Sequence, residues 1–93
     1  MTRNDIAISL KPLKWEEDEL DNGTPVLTAD YDVYEAYIKE NGNGTVTLTI
    51  FYIGNLEEPK IKYTRLTMEE AKDITRLLQV DSFCEYFNLD NQI

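Results

Sequence analysis

From Leu13 to Leu66 the apolar residues tend to recur at every second position, and after Thr67 they recur at every third or fourth. A change of period from two to 3.6 predicts strands followed by a helix. Leu13 and Trp15 alternate with Lys14, which predicts a short first strand running into the acidic stretch that follows. Asn22-Gly23 is a turn signal, and residues 24–29 (TPVLTA) form a second strand with Pro25 at its start or on an edge, because Pro lacks an amide donor. The run YDVYEAYIK (31–39) reads as a third strand, with Tyr31, Val33, Glu35 and Tyr37 on one face and Asp32, Tyr34, Ala36 and Ile38 on the other.

ENGNG (40–44) is the strongest hairpin signal, since Asn and Gly accept the positive backbone angles of tight turns. Behind it TVTLTIFYI (45–53) is uncharged, β-branched and aromatic, as a central strand should be. Val46, Leu48, Ile50 and Tyr52 should share one face, and Thr45, Thr47, Thr49, Phe51 and Ile53 the other. GNLEEP (54–59) reads as a loop and KIKYTRL (60–66) as the last strand, with Ile61, Tyr63 and Arg65 on one side. Thr67-Met68-Glu69-Glu70 then fits a capping box, in which Thr and Glu side chains satisfy each other's backbone amides at a helix start. Ala71, Ile74, Leu77 and Leu78 fall on one stripe of that helix. Val80-Asp81-Ser82 allows either a break with Asp81 as a new N-cap or a continuous helix with Asp81 facing solvent. Phe83, Cys84, Tyr86 and Phe87 would follow as further helical turns.

The fold class expected is therefore α+β. It is a four- to five-stranded antiparallel meander with a C-terminal helix, with or without a break near residue 81, packed on one face. Ninety-three residues allow one domain with one two-layer core, its ends at 1–9 and 90–93 frayed. The uncharged stretch from Asn41 to Leu56 is rich in Thr and Gly, unlike the ~20 apolar residues of a membrane span. The N-terminus has no signal-peptide pattern, so a cytoplasmic location in a host cell is expected. Cys84 is the only cysteine, which excludes an internal disulfide and suggests a buried thiol. Asn22 and Asn43, each in an Asn-x-Thr triplet, are better read as turn residues than as glycan sites.

Charge changes the picture most. The net charge is −9, and residues 15–40 hold nine acids (Glu16, Glu17, Asp18, Glu19, Asp21, Asp30, Asp32, Glu35, Glu40) against the single base Lys39. Five of the six positions from Glu16 to Asp21 are carboxylates. Such a charge repels nucleic acids and anionic membranes and favours basic partners. Three chemistries leave this composition: a metal cage, a mimic of a phosphate backbone, and a solvated loop that keeps a small protein soluble.

Catalysis has little to draw on. The chain has no histidine, which removes Ser-His-Asp and Cys-His nucleophile systems and zinc sites of the usual type. It has no Gly-rich dinucleotide or P-loop motif. Carboxylate pairs such as Glu57-Glu58 or Asp30 with Asp32 lack a sugar-sized cleft in so short a chain. Asp30-x-Asp32-x-x-Glu35 does not have EF-hand spacing, and on a strand Asp30 and Asp32 would share a face with Glu35 turned away. No catalytic residue, metal or cofactor is expected.

The mimic reading has a geometric basis, because side chains two apart on a strand face are spaced ~6.5 to 7 Å, comparable with successive phosphates. Glu16, Glu17, Asp18, Glu19, Asp21, Asp30 and Asp32 would be the charged contact, with Tyr31 and Tyr34 as aromatic anchors. Tyrosine is enriched at interfaces, and six occur here, although tyrosines in a small sheet also serve as packing residues.

Leu13-Lys14-Trp15, Ala29-Asp30-Tyr31-Asp32-Val33-Tyr34 and Leu66-Thr67-Met68-Glu69-Glu70-Ala71-Lys72 together resemble the layout of short phage and prophage proteins across residues 13–80. That layout is a Leu-x-Trp strand, an aromatic hairpin and a Ser/Thr-Leu/Met-Glu-Glu-Ala-Lys helix start. Asp30 departs from it where a glycine is common. The resemblance implies a mobile-element origin and no particular activity. Small acidic proteins of such origin are similar in character to anti-CRISPR and anti-restriction inhibitors. The expected function is thus a non-enzymatic inhibitor of a basic, nucleic-acid-binding host protein. The alternative is an assembly subunit that self-associates through an open sheet face or edge. Neither reading involves direct contact with nucleic acid or membrane; of a monomer or a homodimer, the monomer points to the first reading and the homo-oligomer to the second.

Overall fold

The computed structural model describes residues 5 and 8–86, with the side chain of Tyr86 excepted. The tail at 90–93, most of 1–9 and the place expected for Phe87 lie outside the described residues. Five strands run β1 Glu16–Glu19, β2 Pro25–Tyr31, β3 Tyr34–Glu40, β4 Val46–Tyr52 and β5 Ile61–Leu66, followed by the C-terminal helix α1, Met68–Tyr86. They form one antiparallel sheet in sequence order, a meander, which is the α+β architecture expected. Among the described residues, no helix is long and apolar enough to cross a membrane.

Three elements form as their residues dictate. Gly42 and Gly44 hold positive φ in the 40–44 hairpin, where a side chain would be strained. Val46, Leu48 and Ile50 are buried on one side of β4, while Thr47, Thr49 and Phe51 are half-buried on the other. The capping box closes at both ends: the Thr67 amide donates to Glu70 Oε1 and the Glu70 amide to Thr67 Oγ1, each at 3.0 Å.

Elsewhere the sequence reading is corrected. The first strand is the acidic stretch itself, Glu16–Glu19, and not Leu13–Trp15. Leu13 and Trp15 instead precede β1 and pack against the core under the helix. The YDVYEAYIK run is not one strand. Tyr31 ends β2, Asp32 and Val33 make a two-residue turn, and Tyr34 begins β3, with Tyr31 and Tyr34 as register partners. Asp32 takes φ 51°, a left-handed angle that Asp tolerates better than most residues. Because partners share a face, Tyr31 joins Tyr34, Ala36 and Ile38, while Glu35 and Tyr37 stay opposite. In β5, Arg65 takes φ 62° at an irregularity in the pairing with β4, so Leu66 rather than Arg65 lies opposite Val46.

The helix is continuous through Asp81, which is exposed, and no break occurs. Its inward stripe is Ala71, Ile74, Thr75 and Leu78, while Val80 and Cys84 are buried in a second cluster, packed against Leu10 and Phe83. Leu77, expected in that stripe, is 64% exposed, because the 100° step from Ile74 through Thr75 and Leu78 carries residue 77 off the sheet. Thr75 is buried in that stripe, its hydroxyl donating to Ala71 O at 2.8 Å, so the polar atom is satisfied within the helix. Cys84 is buried, as expected. The chain before β1 straps along α1, where the Arg76 guanidinium donates to Leu10 O at 3.0 Å and Lys11 O at 2.9 Å. Helix and strap lie on the same side of the sheet.

Candidate functional site

Register fixes what the uncovered face displays. Glu16 pairs with Thr28 and Asp18 with Val26, Thr28 pairs with Tyr37, and Asp30 pairs with Glu35. Tyr37 and Glu35 continue to Thr49 and Phe51 on β4, and Thr49 to Lys62 on β5. One face thus presents Glu16, Asp18, Asp30 and Glu35 toward β1, and Lys39 and Lys62 among threonines beyond them. Tyr37 and Phe51 meet edge to face at the centre, with ring centroids 5.5 Å apart. The face is concave. Val26, Tyr37, Thr47, Thr49 and Phe51 floor a depression of about 760 Å³, walled by Asp18–Asn22 on one side and by Leu56, Lys62 and Thr64 on the other.

The acidic part of this face is held at an energetic disadvantage. Asp30 and Glu35 stand directly opposite one another, a like-charge pair that destabilises a sheet. Partial burial first, then the charges of Glu35 and Glu16, raise the Asp30 carboxyl above its ordinary value. Tyr37 donates its hydroxyl to Glu35 Oε2 at 2.7 Å. Its own pKa is pushed up to about 12 by burial, by that hydrogen bond and by the charges of Glu35, Asp18 and Asp30. The phenol therefore stays protonated and fixes the Glu35 carboxylate on the face. Glu16 also meets Lys14, Oε1 to Nζ 3.4 Å, as a solvent-exposed pair of little energetic weight.

A raised carboxylate pKa has a definite sign. The folded state binds the Asp30 proton more tightly than the unfolded chain, so stability falls as pH rises from the ordinary Asp value through the raised one, and the penalty is constant above it. Asp30→Asn is expected to stabilise the protein at pH 7 by ~0.2 to 1 kcal/mol, the scale of one cross-strand pair, with the advantage vanishing once the carboxyl is protonated near pH 3. Thermal melts of the two proteins at both pH values check this. A variant less stable than the parent at pH 7 would contradict it.

The expected contact residues are not all brought together. Glu16, Asp18 and Asp30 share the uncovered face, and Glu35, which the sequence reading turned away from Asp30, belongs with them. Glu17 and Glu19 are exposed on the helix side of β1, and Asp21 lies in the turn to β2 at the wall of the depression. Asp32 lies far along the helix side, where it accepts from the Ser82 hydroxyl at 2.6 Å. Tyr31 is 6% exposed and stacks on half-buried Tyr34 at 5.4 Å, both in the core cluster. Tyr34 also meets Tyr52 at 6.3 Å and lies beneath Lys60. Burial, then the neighbouring Tyr34 and Asp32, push the Tyr31 phenol up to about 12. The aromatic pair on the uncovered face is instead Tyr37 and Phe51, which the alternation in β3 and β4 placed there without marking them as contacts.

Among the described residues, no group of three or more His, Cys, Asp or Glu side chains is arranged to hold a metal ion. No family model matches the chain, no curated protein matches it, and no solved structure matches it.

Proposed function

We propose that this protein is a non-enzymatic inhibitor that binds a basic, nucleic-acid-binding protein through the uncovered face of its sheet. The observation that carries the reading is the Asp30–Glu35 pair. Solubility requires acids somewhere on the surface, but it does not require two of them to oppose each other on adjacent strands beside Glu16, at a cost in stability. Charge accumulated against a local penalty is what a contact surface for a basic partner needs.

The array suits a groove lined with Lys and Arg. Glu16 and Asp18 are two residues apart on β1, ~6.5 to 7 Å along the strand, and Asp30 and Glu35 repeat the charge one and two strands further in. A partner that tracks phosphates would find carboxylates at comparable intervals on a rigid sheet. The Tyr37–Phe51 pair beside them offers apolar area to slow dissociation, while the charges speed association. The resemblance of its sequence layout to short phage and prophage proteins supports a mobile-element origin, and with it an inhibitor similar in character to anti-CRISPR or anti-restriction proteins acting in a host cytoplasm. The test is an affinity capture of the protein's partner from host lysate, washed at rising salt. A nucleic-acid-binding protein retained at low salt and released at high salt is the expected result. Retention that is indifferent to salt would sink the electrostatic contact.

A further inference from the structure

The two edges of the sheet carry opposite charge. β1 is Glu-Glu-Asp-Glu, with every residue exposed, and the stretch forming the other edge, KIKYTRL (60–66), holds Lys60, Lys62 and Arg65 with no acid. We infer that a second copy of this chain docks its basic β5 edge against the acidic β1 edge, extending the sheet head to tail.

The faces agree as well as the edges. Lys62 pairs with Thr49 and therefore lies on the uncovered face, as Glu16 and Asp18 do. Lys60 sits over the Tyr34 ring, on the helix side, as Glu17 and Glu19 do. In a meander of five strands β1 and β5 run in the same direction. A translated copy with its helix on the same side thus brings β5 alongside β1 in parallel, with bases opposite acids on both faces. Backbone groups are turned the right way on β1. The Leu20 amide donates to Thr24 O, which makes that pair a hydrogen-bonded one, and alternation along the ladder then directs the backbone of Glu17 and Glu19 to the free edge. The Glu19 amide is occupied by Asp18 Oδ1 at 2.8 Å, which leaves the Glu17 amide and the carbonyls of Glu17 and Glu19 for a neighbour.

Acids on an edge strand are a common guard against edge-to-edge pairing, and here they do forbid β1 from meeting β1. Lys60, Lys62 and Arg65 likewise forbid β5 from meeting β5. Guards of opposite sign leave only the β1–β5 contact attractive, a heterologous contact that does not close on itself and so propagates. The β1 strand has four residues, so the contact is small and its affinity belongs to the weak class.

Sedimentation velocity at about 20 mM and about 500 mM salt, which span a Debye length from ~20 Å to ~4 Å, tests the inference. The average mass is expected to rise at least about twofold above the monomer at about 1 mM protein and low salt, and to return to the monomer at high salt. A charge exchange identifies the edges. Lysine at all four β1 positions (Glu16→Lys, Glu17→Lys, Asp18→Lys and Glu19→Lys) on one protein, and Lys60→Glu with Lys62→Glu on another, should each remain monomeric alone. Mixed, they should associate, because the basic β1 of the first now meets the acidic β5 of the second. Recovery in the mixture also shows that both variants are folded. A parent that stays monomeric under all conditions, or a mixture that fails to associate while the parent does, overturns the inference.

Discussion

Replacing Glu16, Asp18 and Asp30 together by lysine is expected to weaken binding to the captured partner by at least ~100-fold, close to 3 kcal/mol, with the fold intact. All three side chains are exposed on the uncovered face, and none anchors the core. At Asp30 the change turns a repelling pair with Glu35 into an attracting one, so the thermal midpoint should hold or rise rather than fall. The loss should appear mostly in the association rate and should shrink as salt is added, because exposed charges act through long-range attraction. Asp73→Lys, on the exposed side of α1, alters net charge by the same amount per residue and serves as the control. Equal losses from the control and from the face variant, after scaling for charge, would mean that net charge alone governs binding. Surface plasmon resonance with the purified partner measures both.

The largest effect on stability should come from Leu48→Ala. Leu48 is fully buried at the middle of the central strand β4, within the cluster of Tyr31, Ala36, Ile38, Val46, Ile50 and Ala71. Truncation there removes the transfer energy of the lost carbons and leaves a cavity that a sheet held on both sides cannot close. About 3 kcal/mol is expected, out of a total of ~5 to 15 kcal/mol for a small domain. The thermal midpoint should drop by roughly 15 °C. Leu77→Ala should change it by less than ~0.5 kcal/mol, because that side chain is exposed. Urea unfolding of the two variants separates an inward stripe through Thr75 and Leu78 from one through Leu77.

Different parts of the chain announced themselves with different clarity. β4 was legible because nine uncharged residues alternate Thr with larger apolar side chains between two turn signals, and the helix start because Thr67 and Glu70 stand at capping distance. The turn at Asp32-Val33 was not. It lacks Gly and Asn, and Tyr-Asp-Val-Tyr continues the alternation on either side, so periodicity alone cannot detect that the chain reverses. That one omission moved Tyr31 to the wrong face and separated Asp30 from Glu35. β1 was hidden for another reason: four successive acids carry no apolar alternation, and their strand exists through pairing with β2, information that lies in residues 25–28 rather than in the acids themselves. The charged half of the candidate site was therefore visible as composition, while its grouping depended on register.

The grouping is what the functional reading rests on, and displacement tests it most directly. A labelled nucleic acid is bound to the captured partner, and the parent protein is titrated in while the nucleic acid's anisotropy is followed. Release of the nucleic acid by the parent, and none by the Glu16, Asp18 and Asp30 reversal, is the predicted result, since the carboxylates and the phosphates would occupy the same basic groove. A stable ternary complex, with the nucleic acid still bound at saturating parent protein, would contradict it.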